Sequence, residues 1–170
     1  MYPFVRLAYA LWSARRLPPL GLTDPHVSHH ICWPWDLDPW VELNNGRTLT
    51  IYDLGRIPMA RRMGLTPVLA ANGWGLTVAG SSTRYRRRVR MFDRLTMRTE
   101  VAGWDARFIY IAQSLWRGGE ATSHVLIRSA FTSAAGIVPP ARVLAAMGRA
   151  DPSPPLPPWV QAWAEADALR

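Results

Sequence analysis

Residues 46–63 read GRTLTIYDLGRIPMARRM. Leu49, Tyr52, Arg56 and the pair Met59–Ala60 recur near helical spacing, and that period predicts a helix. Apolar residues also fall on its other faces, so the helix is expected to be enclosed rather than laid on a surface. Pro58 is expected to kink or end its regular part. Gly55 is expected to let another backbone come close. Downstream the pattern turns to strands and stays there. Gly73 to Met91 reads as one long strand, followed by strands over Leu95–Gly103, Arg107–Trp116 and Ala121–Ser133. Short turns such as Arg117-Gly118-Gly119 imply antiparallel neighbours. An apolar helix followed by a long antiparallel sheet, with nothing else to cover it, requires the sheet to wrap the helix.

The flanks are shorter and more irregular. His26–Trp33 reads as a strand that Pro34 ends, and Thr66–Asn72 reads as a loop. Pro139-Pro140 opens a short helical segment, Ala141–Met147. DPSPPLPP from Asp151 reads as an extended proline spacer, and Trp159–Leu169 as a last helical stub. Near the start, Phe4, Leu7, Ala8 and Leu11 share a helical face. A short amphipathic helix docked on the domain or on a partner subunit is the expected outcome, with membrane-surface contact the less favoured reading. The expected division is a helix and loop over residues 1–25, one domain over 26–147, and a Pro-rich spacer with a terminal stub over 148–170.

The 170 residues suffice for one domain with a real core, and 49% hydrophobic content with nine Trp fits a globular chain. All 20 Lys-or-Arg positions are Arg. A Schiff-base lysine, pyridoxal-phosphate attachment and a P-loop lysine are thereby excluded. The formal charge of +8 suits phosphate-bearing partners, although codon bias alone would also give an Arg-rich, Lys-free chain. The single cysteine, Cys32, excludes an internal disulfide and fits a reducing, cytoplasmic setting. No stretch approaches the roughly 20 apolar residues of a membrane span. His26 and His30 share a strand face but lie roughly 13 Å apart, and His29 points the other way, so no metal site is expected.

Residues 36–46, DLDPWVELNNG, concentrate acids in front of the helix. Asp, Asn and Gly before a helix are what caps look like, but a cap needs one such residue, not an Asp-x-Asp-x-x-x-Glu run. Crowding of Asp36, Asp38 and Glu42 beside Trp33, Trp35 and Trp40 would raise at least one carboxyl pKa. Such a carboxylate serves as general base or nucleophile. The helix N-terminus at Asn44–Arg47 offers backbone N–H groups and a positive dipole end, with Gly46 permitting close approach to a carbonyl oxygen. In TRYRRRVRM, strand alternation sends Arg84, Arg86, Arg88 and Arg90 to one face and Arg87 to the other. A solvated face is the common outcome for such a stripe, and phosphate gripping by Arg84 and Arg86 the functional one. Asp53 and Arg56 are expected to pair within the helix, and Asp105 to close a turn.

Together, Asp36-Leu37-Asp38, Leu43-Asn44-Asn45-Gly46-Arg47, Asp53-Leu54-Gly55-Arg56, Arg84-Tyr85-Arg86-Arg87 and Gly103-Trp104-Asp105 resemble the hotdog-fold acyl-CoA thioesterases. The likeness is to the thioesterase-like, 4-hydroxybenzoyl-CoA thioesterase type, over roughly His26 to Met147. The resemblance implies an α+β hotdog fold, with a long antiparallel sheet around a central helix. It also implies a homodimer or homotetramer with sites between subunits. The implied reaction is hydrolysis of an acyl-CoA or acyl-carrier thioester without metal or added cofactor, coenzyme A being part of the substrate. It maps the catalytic carboxylate to Asp38. Many members carry a His before the Asn-Asn pair; here that position is Glu42, to which the base role shifts in one reading. The candidate site is therefore Asp38, Glu42, Asn45 and Gly46, with Arg84 and Arg86 for coenzyme A. The rivals are a non-catalytic acyl-chain or protein binding module and an enoyl thioester hydratase or dehydratase. Nucleic-acid binding is disfavoured because the aromatics do not interleave with the Arg residues.

Overall fold

A computed structural model describes residues 2–169; Met1 and Arg170, the outermost residues of the two expected flanking segments, lie outside the described residues. The order is α1 (Phe4–Ala14), β1 (His26–Ile31), a 3-10 turn (Pro34–Asp36), α2 (Asn45–Arg62), α3 (Leu65–Asn72) and β2 (Gly75–Tyr85). Then follow β3 (Arg94–Trp104), β4 (Ile109–Arg117), β5 (Glu120–Ser133), β6 (Gly136–Val138), α4 (Pro140–Ala146) and α5 (Pro158–Asp167). The strands form one antiparallel sheet in the order β1-β3-β4-β5-β2, with β6 on β5. It curls around α2, the hotdog arrangement.

Why α2 sits inside follows from its residues. Ile51, Tyr52 and Met59 are at most 2% exposed and pack with Leu95, Met97, Leu115 and Val125 of the sheet. Burying each such side chain contributes about 1.5–3 kcal/mol. Gly55 makes the close approach possible: a Cβ there would lie 2.7 Å from Thr99 Oγ1 and closer still to Met97 Sδ. What approaches is thus a pair of β3 side chains, not the expected backbone. The helix's charges are matched internally. Arg56 pairs with Asp53, as the spacing suggests, and also donates to Gln113 Oε1 at 2.9 Å. Burial pushes the Asp53 carboxyl up, and the Arg56 guanidinium opposes that shift.

Four expectations change. α2 runs through Pro58 to Arg62, because Pro58 and Met59 are both buried and packing holds the last turn. Thr66–Asn72 is helical, not a loop; Pro67 stands in the first turn of α3, where a missing N–H costs nothing. The strand expected to reach Met91 stops at Tyr85, where Arg86 and Arg87 both donate their N–H to Thr122 O. β6 is an addition, returning on β5 through Gly136 at φ 114°.

Strand alternation divides β4 and β5 between two covers. Ile109, Ile111, Val125 and Ile127 face α2, whereas Tyr110 and Leu126 face outward onto Val160 of α5. The proline segment packs rather than spaces. Ser153 Oγ accepts the Trp104 N–H at 2.8 Å, and Leu156 lies against Gly103. Arg128 stacks between Phe108 and Trp163 and pairs with Asp167, fixing α5. Asp105 closes the β3–β4 turn by accepting the N–H groups of Arg107 and Phe108 at 2.7 Å.

His26 is 2% exposed and accepts from Arg62 at 2.8 Å, and burial pulls its pKa down to about 4. His124 packs edge-on against Trp116 in the sheet. Cys32 is fully buried, and that burial pushes its thiol up to about 11.

Candidate active site

The acidic loop is pinned at its first residue. Asp36 is 0% exposed. Its Oδ2 accepts from Arg6 at 2.7 Å and from the Trp33 N–H at 3.1 Å, and its Oδ1 accepts from Arg47 Nη2 at 2.9 Å. Its carbonyl takes the Asn44 N–H at 2.9 Å. One carboxylate thus ties α1, the loop and the first turn of α2 together. Asp36 therefore leaves the expected crowd of three acids and belongs to the scaffold.

Beyond Asp36 the chain folds back on itself. Leu37 bridges Leu43, the Asp38 N–H donates to Glu42 O at 2.9 Å, and Val41 N–H returns to Asp38 O at 3.0 Å. Asp38 Oδ1 accepts the Trp40 N–H at 2.9 Å, with the Glu42 N–H at 3.4 Å. These fix the carboxylate's direction, and Oδ2 has no hydrogen-bond partner among the described residues. Val41 closes the turn at φ 60°. That is the left-handed region, costly for a β-branched residue.

Asp38 and Glu42 open onto a cleft of about 550 Å³. Its floor holds Thr48 and Ser123, both under 5% exposed, and the Ser123 hydroxyl meets the buried Tyr52 hydroxyl at 2.9 Å. Tyr85 closes one side and donates to Asn45 O at 3.3 Å. Arg86, Arg87 and Arg88 form the opposite rim, and Trp40, 78% exposed, stands at the mouth. Arg88 Nε lies 3.2 Å from Glu42 Oε2, and Arg87 pairs with Glu120. Arg86 makes no ion pair among the described residues.

At the α2 N-terminus, Asn44 Oδ1 accepts from the Gly46 N–H at 2.9 Å and the Arg47 N–H at 3.2 Å. Gly46 N–H is therefore engaged in the cap and not free to meet a carbonyl oxygen. The Asn45 N–H has no acceptor among the described residues, and Asn45 lines the cleft. Of the six sequence-derived candidates, the structure brings Asp38, Glu42, Asn45 and Arg86 to one cleft. Gly46 sits just behind it. Arg84 lies on β2 opposite His124 and does not line it. Because the strand ends at Tyr85, alternation does not hold from Arg86 to Arg90, and Arg87 and Arg88 join Arg86 on the rim. Thr48, Tyr85 and Ser123 carried no sequence signal beyond their elements; the β2–β5 pairing and its packing beside the α2 N-terminus bring them here. Among the described residues, no group of three or more His, Cys, Asp or Glu side chains could hold a metal ion.

A sheet curled around one helix, with a carboxylate-lined cleft at that helix's N-terminus, defines the hotdog class. The thioesterase-like superfamily model matches residues 32–164, so the chain belongs to that superfamily. Among curated relatives it is 32% identical to Protein THEM6 of Xenopus laevis over 111 residues, 65% of this chain and 54% of that protein. The chain spans about half the length of the curated relatives it matches. Among solved structures it is similar to a 1,4-dihydroxy-2-naphthoyl-CoA thioesterase from Synechocystis. That match has a TM-score of 0.62 at 9% identity, covering 71% of this chain and 92% of that one. A DHNA-CoA thioesterase from Staphylococcus aureus matches with a TM-score of 0.60 at 11% identity, covering 85% and 92%.

Proposed function

We propose that this protein hydrolyses an acyl-CoA or acyl-carrier thioester, with Asp38 as the carboxylate that acts. The observation that carries this reading is Asp38 itself: one oxygen is held by backbone N–H groups, the other has no hydrogen-bond partner among the described residues, and the side chain lines the cleft. Oδ2 takes a proton from water as its oxygen bonds to the thioester carbonyl carbon. The carbonyl oxygen becomes an oxyanion that the Asn45 N–H meets at the positive end of α2. Collapse re-forms the carbonyl and breaks the carbon–sulfur bond, and the leaving thiolate takes the proton back from Asp38. A thiol pKa of about 8.5 makes this departure easy without a stronger acid. Glu42, engaged by Arg88, holds the rim rather than the water. Arg86 is the guanidinium available to a carrier phosphate.

Two copies pairing along β2 fit the same reading. β2 is an open sheet edge of eleven residues, uncharged before Arg84. An unguarded edge of that kind invites a second strand. Its last residue, Tyr85, lines the cleft, so a copy paired there would stand beside the site.

Incubation with acyl-CoAs of graded chain length and a thiol-trapping dye tests the activity. Thiol release with at least one chain is expected. Silence across the panel would favour a binding module, and hydration of an enoyl-CoA without thiol release would favour the hydratase reading.

A further inference from the structure

Helix α1 is built inside out for a surface helix. Its inner side carries Arg6, Ser13 and aliphatic residues, with no aromatic ring. Arg6 reaches Asp36 and Ile31 O, Ala14 is buried, and Leu7, Ala10 and Leu11 are only partly covered. Its outer side carries the bulk: Phe4 is 70% exposed, Val5 85%, Tyr9 66% and Trp12 48%, with Ala8 exposed between them. The face expected from Phe4, Leu7, Ala8 and Leu11 to dock on the domain is thus split, and Phe4 and Ala8 lie on the uncovered side.

The surroundings of this face indicate its occupant. Residues 1–23 include Arg6, Arg15 and Arg16 and no Asp or Glu. Arg15 and Arg16 are exposed just past the helix, and the Arg16 guanidinium stands 4.1 Å over the Trp12 ring. An aromatic face closed by cations complements an anionic lipid surface: Trp and Tyr settle at headgroup level, and Arg reaches the phosphates. Isologous pairing with a second copy would instead set one positive patch against another. Eleven residues rise about 16 Å, too short to cross a bilayer, and no described helix is long and apolar enough to span one.

We propose that α1 is a docking helix that lies in the plane of an anionic bilayer, its Phe4–Val5–Tyr9–Trp12 face among the acyl chains and Arg15–Arg16 at the headgroups. The contact is peripheral and reversible, since one short helix is a single weak anchor. Its inner side stays bound to Asp36, so docking sets the acidic loop close to the lipid surface.

Flotation of the full chain with vesicles tests this. One set is phosphatidylcholine alone, the other phosphatidylcholine mixed with phosphatidylglycerol. Preferential flotation with the anionic set is expected, weakening as salt rises. Arg15→Gln and Arg16→Gln should each lower it about fivefold, and Tyr9→Ser with Trp12→Ser about tenfold or more. Thermal melting of each variant guards against unfolding, and because all four side chains are exposed, unchanged melting is expected. Failure of the wild type to float would overturn the proposal, as would flotation unaffected by the aromatic pair. A wild-type dimer that becomes monomeric in that same variant would overturn it too, assigning the face to a second copy. Thioester hydrolysis is not needed for any of these readouts.

Discussion

Asp36 and Asp38 are two residues apart in one loop and live in opposite conditions. Asp36 has no exposed surface, two guanidinium partners and a backbone donor. Asp38 has backbone N–H donors on one oxygen only and faces a cleft. The first is a structural charge whose partners consume its capacity to act. The second is held in direction yet left with an unspent oxygen. Proximity in sequence says little about role here; what decides is how much of each carboxylate is already bound.

Several substitutions press on that contrast. The largest expected effect is Asp36→Ala, which strips the shared anion from Arg6 and Arg47, whose side chains are only 17% and 21% exposed. Breaking a buried pair by removing one partner costs about 3–5 kcal/mol, and calorimetry should find a loss of that order. A loss below about 1 kcal/mol would place Asp36 with ordinary surface pairs. Acid reaches the scaffold by a second route. His26 has a folded pKa near 4, below its unfolded value of about 6.5. Its contribution is therefore complete above pH 6.5 and lost as pH falls toward 4. Denaturation midpoints measured across that window should drop, with about 3 kcal/mol at stake, and His26→Gln should flatten the curve.

Asp38→Asn keeps the Oδ1 acceptor and the turn but removes the carboxylate proposed to act as base. An expected fall in kcat of about 100-fold or more, with melting unchanged, separates the two acids cleanly. Equal activity in that variant would move the chemistry to Glu42. Smallest is Val41→Asn. Asn tolerates the left-handed backbone that Val41 holds at φ 60°, so a gain of about 1 kcal/mol is expected in urea melts. Destabilisation would mean that the exposed Val41 side chain contributes more than its strain costs.

The sequence made the helix-in-sheet plan legible because residues 46–63 and the later strands carry strong, separate periods. It also placed Asp38, Glu42 and Asn45 together, since a tight turn and a cap are local. What it could not give depends on distance or on where regularity stops. Arg6 meets Asp36 from thirty positions away, and nothing near Asp36 announces it. The Arg run mimics strand alternation straight through Tyr85, although the backbone leaves the ladder there to bond Thr122 O. Pro67 resembles a breaker until its place in the first turn of α3 is known. Asn44 supplies the cap so completely that Gly46, which looked like an open donor, is already used.

Cys32 is a fully buried thiol whose pKa burial pushes up to about 11. It is the protein's single cysteine, and thiolate, the form that reacts, is scarce there at neutral pH. While folded, the protein is thus nearly invisible to thiol-trapping dyes, so in a test for hydrolysis any colour that develops belongs to released product. When the fold opens, the same residue becomes labelled once per chain, turning one reagent into both the activity assay's clean background and a clock for unfolding.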